Sequence, residues 1–143
     1  MDLDANAQSV LHAVLGMGVL SLVMFLWMYA TRLPAMSRAK VNPQDAMHPG
    51  SLSILPSEAR RVADNYNHLW EAPTLFYAMA IYVVVTGHAD AVHAACAWAY
   101  LGLRVLHSLV QATINMVTLR FSLFSLSWVA LGVMIVREVL RAI

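Results

Sequence analysis

The sequence predicts an all-α integral membrane protein, an up-down four-helix bundle that uses the whole chain as one domain, and three observations predict it. Hydrophobic residues make up 60% of the chain and charged residues 12%, with a positive mean hydropathy, outside the range of ordinary soluble domains. The 143 residues contain four long apolar runs. Because a hydrocarbon core of about 30 Å takes roughly 20 residues per helical span, four spans and their connections leave no room for a separate soluble domain. Within the second and third runs, ionisable and amide residues recur at helical spacing, as a stripe buried between helices would.

The first span is expected over residues 8–30, which contain no charged residue, with Arg32 and Pro34 ending it at the interface. Its start, Met-Asp-Leu-Asp, is acidic where a secretory signal needs basic residues, so the run reads as a retained span. Gly16 and Gly18 inside it are expected to mark a packing face. Residues 31–57 form the one substantial loop, since Pro34, Pro43, Pro49, Pro56 and Gly50 exclude a long helix.

A second helix is expected from Ser57, acting as N-cap, to Thr86, with its apolar span over 65–86 and a kink at Pro73. In Gly87-His88-Ala89-Asp90, glycine suits the left-handed position after a helix and aspartate the N-cap of the next. Spans two and three therefore form an antiparallel hairpin. Spans three and four are expected over 91–115 and 119–140.

Arg32, Arg38, Lys40, Arg60 and Arg61 lie in or beside the long loop, and Arg120 at the edge of the last connection, so both connections are expected to face the cytoplasm and both termini the outside. Arg137 and Arg141 fall on the opposite side. A net charge of +1 with scattered basic residues excludes a nucleic-acid footprint. Cys96 is the single cysteine, which excludes an internal disulfide, and Ala-Ala-Cys-Ala-Trp reads as small-residue packing around an inert thiol. His12, His88 and His93 lie away from the stripe with no metal-ligand spacing, and no metal is expected.

Charged groups inside spans are costly and mark candidate sites, and three stand out: Glu71, Arg104 and Arg120. Asp64, Asn67 or His68, and Glu71 share one face of the second helix; Arg104, His107, Ser108, Gln111 and Asn115 share one face of the third. Glu71 lies 16 residues before Gly87 and Arg104 lies 14 after Asp90, so both are expected roughly 21 to 24 Å from the outer turn. At one depth they can form a bidentate ion pair, either as a lock for the bundle or as two halves of a ligand site.

The stretch Arg61-Val-Ala-Asp-Asn-Tyr-Asn-His-Leu-Trp-Glu71-Ala-Pro-Thr-Leu-Phe-Tyr77, followed by Ala-Tyr-Leu-Gly-Leu-Arg104-Val-Leu-His107, resembles the MAPEG family, membrane-associated proteins in eicosanoid and glutathione metabolism, and looks closest to its bacterial branch. The resemblance implies a homotrimer in a bacterial inner membrane, with glutathione as co-substrate in sites between subunits, open toward the cytoplasm. It assigns glutathione contacts to Asn67, His68, Glu71, Arg104, His107 and Gln111, and stabilisation of the thiolate to Arg120. Three positions depart from the family pattern: His68 replaces an asparagine, Asp64 an arginine, and Gln111 the tyrosine of the synthases.

The function this implies is a glutathione-dependent transferase or peroxidase acting on lipophilic electrophiles or lipid hydroperoxides that reach the site from the membrane lipid. Asp64 and Gln111 favour an alternative, a non-catalytic subunit whose trimer clefts hold lipid, quinone or a partner helix. A small four-span exporter would need a carboxylate in the first span, which has none.

Overall fold

A computed structural model describes residues 3–48 and 50–143, and the described residues contain helices and turns but no strand. The order is α1 (Ala5–Arg38), a short 3-10 turn (Pro43–Ala46), α2 (Ser57–His68), α3 (Ala72–Val85), α4 (Ala91–Ala112) and α5 (Val117–Ala142). Taking α2 and α3 as one interrupted rod, the molecule is a four-helix bundle. Ala5–Arg38, Ser57–Val85 and Val117–Ala142 are each long and apolar enough to cross a membrane. The fourth helix, α4, carries the polar stripe and packs chiefly on α5 and α1.

Asp4 caps α1 by accepting the Ala7 N–H at 2.7 Å. The helix buries Val10, Ala13, Met17, Leu20, Met24 and Met28 at three- and four-residue spacing, while Leu15, Val19, Leu22 and Leu26 stay exposed on the other side. In a bilayer that outer face meets lipid, where apolar exposure carries no penalty. Gly16 packs closely: an added Cβ would lie 2.5 Å from Cδ2 of Leu101 on α4, whereas Gly18 has open space. Only Gly16 therefore belongs to the packing face expected for both.

Pro34 does not end α1, which continues to Arg38. Proline removes only the bond to the carbonyl of Ala30, and both residues are exposed. The extra turn is held by packing: Ala35 clusters with Leu55 and Ala59, flanked by Met36, Val41 and Leu52. The connection to α2 is correspondingly shorter than the expected 31–57.

The expected continuous helix from Ser57 to Thr86 is broken over Leu69, Trp70 and Glu71. Ser57 is already helical and makes no side-chain cap; Pro56 occupies the cap position. At the break, the Trp70 N–H bonds to the carbonyl of Asn67 at 3.0 Å and the Glu71 N–H to that of His68 at 3.4 Å, a tightening to three-residue bonds. Pro73 then sits in the first turn of α3, where its missing N–H costs nothing. The proline thus produces a full break and restart where a kink was expected.

The α3–α4 turn forms as its residues suggest. Gly87 has φ +72°, its N–H bonds to Val84 and that of His88 bonds to Val83, satisfying the last carbonyls of α3. Asp90 then caps α4 through Val92 and His93, both at 3.0 Å. At the other end α4 stops at Ala112, short of the expected 115, because Asn115 adopts a left-handed conformation (φ +51°).

Candidate functional site

The break in the second rod places His68 against α4 and α5. Arg104 is fully buried on α4, and its Nη2 donates to the carbonyl of His68 at 3.2 Å. Its guanidinium carbon lies 5.8 Å from the ring centre of Phe124 on α5. Nε and Nη1 of Arg104 have no partner among the described residues. Buried donors are nearly always paired, so a guanidinium with two such groups is suited to an anion.

Further along the same buried face of α4 come His107, 1% exposed with Nδ1 unpartnered, and Gln111, 6% exposed with Oε1 unpartnered. The rings of His68, His107 and Phe124 form one cluster, with His68 centred 5.2 Å from each of the others. Arg120 enters from the first turn of α5, one turn before Phe124. Its Nη1 donates to Oδ1 of Asn115 at 2.8 Å, so the left-handed residue that ends α4 also holds the arginine.

Glu71 does not pair with Arg104 as its depth along the hairpin suggested. It is 67% exposed, and its Oε2 meets Nδ1 of His68 at 2.6 Å. The depth comparison assumed an unbroken helix; the break turns the Glu71 side chain out and leaves the His68 carbonyl for Arg104. Asn67 is separate again. With Arg32, His48, Arg60 and Asp64 it lines a cavity of about 360 Å³ beneath the long loop.

Sequence reasoning passed over Asn65, which is fully buried with both amide atoms unpartnered among the described residues. The signal was available: Ala59, Val62 and Asn65 share the buried face of α2. It also missed the opposite end of the bundle. There Glu138, 5% exposed, meets Nδ1 of His88 at 2.6 Å and Nη1 of Arg141 at 3.0 Å. Buried His93 has Nδ1 at 2.9 Å from Asp90 and Nε2 at 3.4 Å from Glu138, and Asp90 also receives Arg137 and Arg141. Burial alone would raise the Asp90 carboxyl, but the His93 backbone N–H, the His93 ring and Arg137 outweigh it and hold it at about 2. This network ties α5 to the α3–α4 turn.

Among the described residues no group of three or more histidine, cysteine, aspartate or glutamate side chains is placed to hold a metal ion. The model of the MAPEG family matches residues 10–140. No curated protein and no solved structure matches the chain.

Proposed function

This chain belongs to the MAPEG family, and on that premise we propose that it binds glutathione at the Arg104 cluster and acts as a transferase or peroxidase on lipophilic electrophiles or lipid hydroperoxides. The observation that carries the proposal is the buried Arg104 guanidinium with Nε and Nη1 unpartnered among the described residues. The two lie on different edges of the guanidinium, so each can take its own carboxylate oxygen, and glutathione offers two carboxylates. His107 Nδ1 and Gln111 Oε1 provide further polar contacts for a peptide ligand.

Glutathione supplies a thiol nucleophile. Arg120, held by Asn115, is the residue we assign to the thiolate, because a guanidinium beside a thiol favours its ionised form. Glu71 keeps Oε1 for the ligand amine while Oε2 engages His68. We assign the trimer, with sites completed between subunits, and a cytoplasmic long loop to the same proposal; the basic residues of that loop support the orientation. A cysteine at Gln44 is then labelled from the cytoplasmic side only, and native mass spectrometry in detergent gives three copies.

An apolar groove of about 610 Å³ between α1 and α4, lined by Leu15, Val19, Val23, Trp27, Leu101 and Val105, favours a second reading, a non-catalytic subunit that holds a lipid, a quinone or a helix of a partner. Calorimetry with glutathione on purified protein in detergent, with ultraviolet thiolate absorbance in parallel, separates the two. Binding with a thiolate signal that Arg120→Ala abolishes supports the enzyme. No binding and no signal leaves the non-catalytic subunit.

A further inference from the structure

One contact in the site is complete without any ligand: the carboxylate of Glu71 on Nδ1 of His68, at 2.6 Å across the break between α2 and α3. A carboxylate on one ring nitrogen selects the tautomer with hydrogen there and leaves the lone pair on the other, so Nε2 of His68 is the basic nitrogen. That nitrogen makes no hydrogen bond among the described residues. The ring faces the site, centred 5.2 Å from both His107 and Phe124, and the side chain is 24% exposed, within reach of a ligand.

We propose that His68, oriented by Glu71, is the general base that takes the thiol proton of the co-substrate. The proposal rests on the glutathione reading above and adds a residue role to it. In the step, the S–H bond breaks, its proton bonds to Nε2 of His68, and the electron pair stays on sulfur. The charges then match their neighbours: Arg120 lies with the thiolate and Glu71 with the imidazolium. With a hydroperoxide, the sulfur bonds to the terminal oxygen, the O–O bond breaks, and the leaving alkoxide takes the proton back from His68, giving a sulfenic acid and an alcohol. The charged and titratable groups packed around His68 are Glu71 on its own segment and Arg104 and His107 on α4; from α5 the ring of Phe124 faces it, and Arg120 lies one turn before Phe124. His68 touches the reacting proton and Glu71 is a positioning residue, since its carboxylate acts through the ring.

The test counts protons. Glutathione and S-methylglutathione, which has no thiol proton, are titrated by calorimetry near neutral pH in two buffers of different ionisation enthalpy, with thiolate absorbance recorded alongside. If His68 is the base, wild type forms thiolate yet releases no more protons with glutathione than with the methylated ligand, because the proton stays on the protein. His68→Gln then either releases about one extra proton per thiolate formed or loses most of the thiolate, in line with the roughly 100-fold or larger contribution of a general base. Glu71→Gln weakens the retention in the same direction. The thermal midpoint in detergent shows that each variant still folds, S-methylglutathione affinity sets the concentration at which each is saturated, and His68→Asn is the second variant should glutamine disturb the site. Wild type releasing about one extra proton per thiolate, or a His68→Gln inventory equal to wild type, overturns the base while leaving glutathione binding standing. No binding of either ligand by wild type overturns the glutathione reading and the base with it.

Discussion

Arg104 reaches the carbonyl of His68 with one nitrogen, Nη2, at 3.2 Å, and so joins the middle of α4 to the end of α2. A buried guanidinium that spends only one of its donors in this way contributes little net stability, because each unpaired buried donor costs about 1 to 3 kcal/mol.

Arg104→Met should therefore leave the thermal midpoint in detergent unchanged or raise it, as replacement of buried charge by apolar volume often does. The same variant should lose all stabilisation by added glutathione. A fall of many degrees without ligand would show that the arginine is a structural lock.

Glu71 is exposed and bonded to His68, so Glu71→Gln should change stability by less than about 0.5 kcal/mol and combine additively with Arg104→Met. Chemical denaturation of the two single variants and the double variant measures the coupling. An interaction energy above about 1 kcal/mol would mean that the carboxylate and guanidinium contact each other after all.

The break between α2 and α3 depends on Pro73, whose missing N–H leaves the Leu69 carbonyl without a helical donor. Pro73→Ala should join the helices, raise helix content by circular dichroism, and weaken glutathione affinity at least ~10-fold by moving His68 and its carbonyl away from Arg104. Unchanged affinity in a straightened helix would remove the break from any role in the site.

Asp90 is held at about 2, below its ordinary value of 3.8, by His93 and Arg137. A depressed carboxyl contributes stability that is fully present above about pH 4 and is lost as pH falls toward 2. The thermal midpoint should drop across that window in wild type and much less in Asp90→Asn, which retains a capping side chain. Equal acid sensitivity in both would assign the loss to other carboxylates.

Gly16 and Gly18 should separate cleanly. Gly18→Ala faces open space and should be neutral or stabilising by up to about 1 kcal/mol, as expected for glycine within a helix. Gly16→Ala drives a Cβ toward Leu101 and should destabilise, less so in a Leu101→Ala background. Equal effects at the two glycines would contradict the close α1–α4 crossing.

Much of the architecture was legible because it follows from local rules. Apolar length marked the long helices, Gly87 and Asp90 marked the turn by backbone freedom and capping, and helical spacing put Arg104, His107, Ser108 and Gln111 on the buried face of α4. Each of these depends on residues within a few positions of one another.

What only the tertiary structure decided depends on partners distant in sequence. Pro34 is tolerated because Ala35 finds Leu55 and Ala59, and Arg137 and Arg141 cap the bundle because α5 runs beside the α3–α4 turn. At the site, spacing along a rod placed Glu71 level with Arg104, but one missing N–H at Pro73 broke the rod. The carboxylate was thereby given to His68, and the carbonyl of His68 to Arg104. Sequence spacing determines which residues share a helix face; whether that helix stays continuous depends on backbone donors such as the N–H that Pro73 lacks, and only the fold brings Arg104 of another helix to the His68 carbonyl at the break.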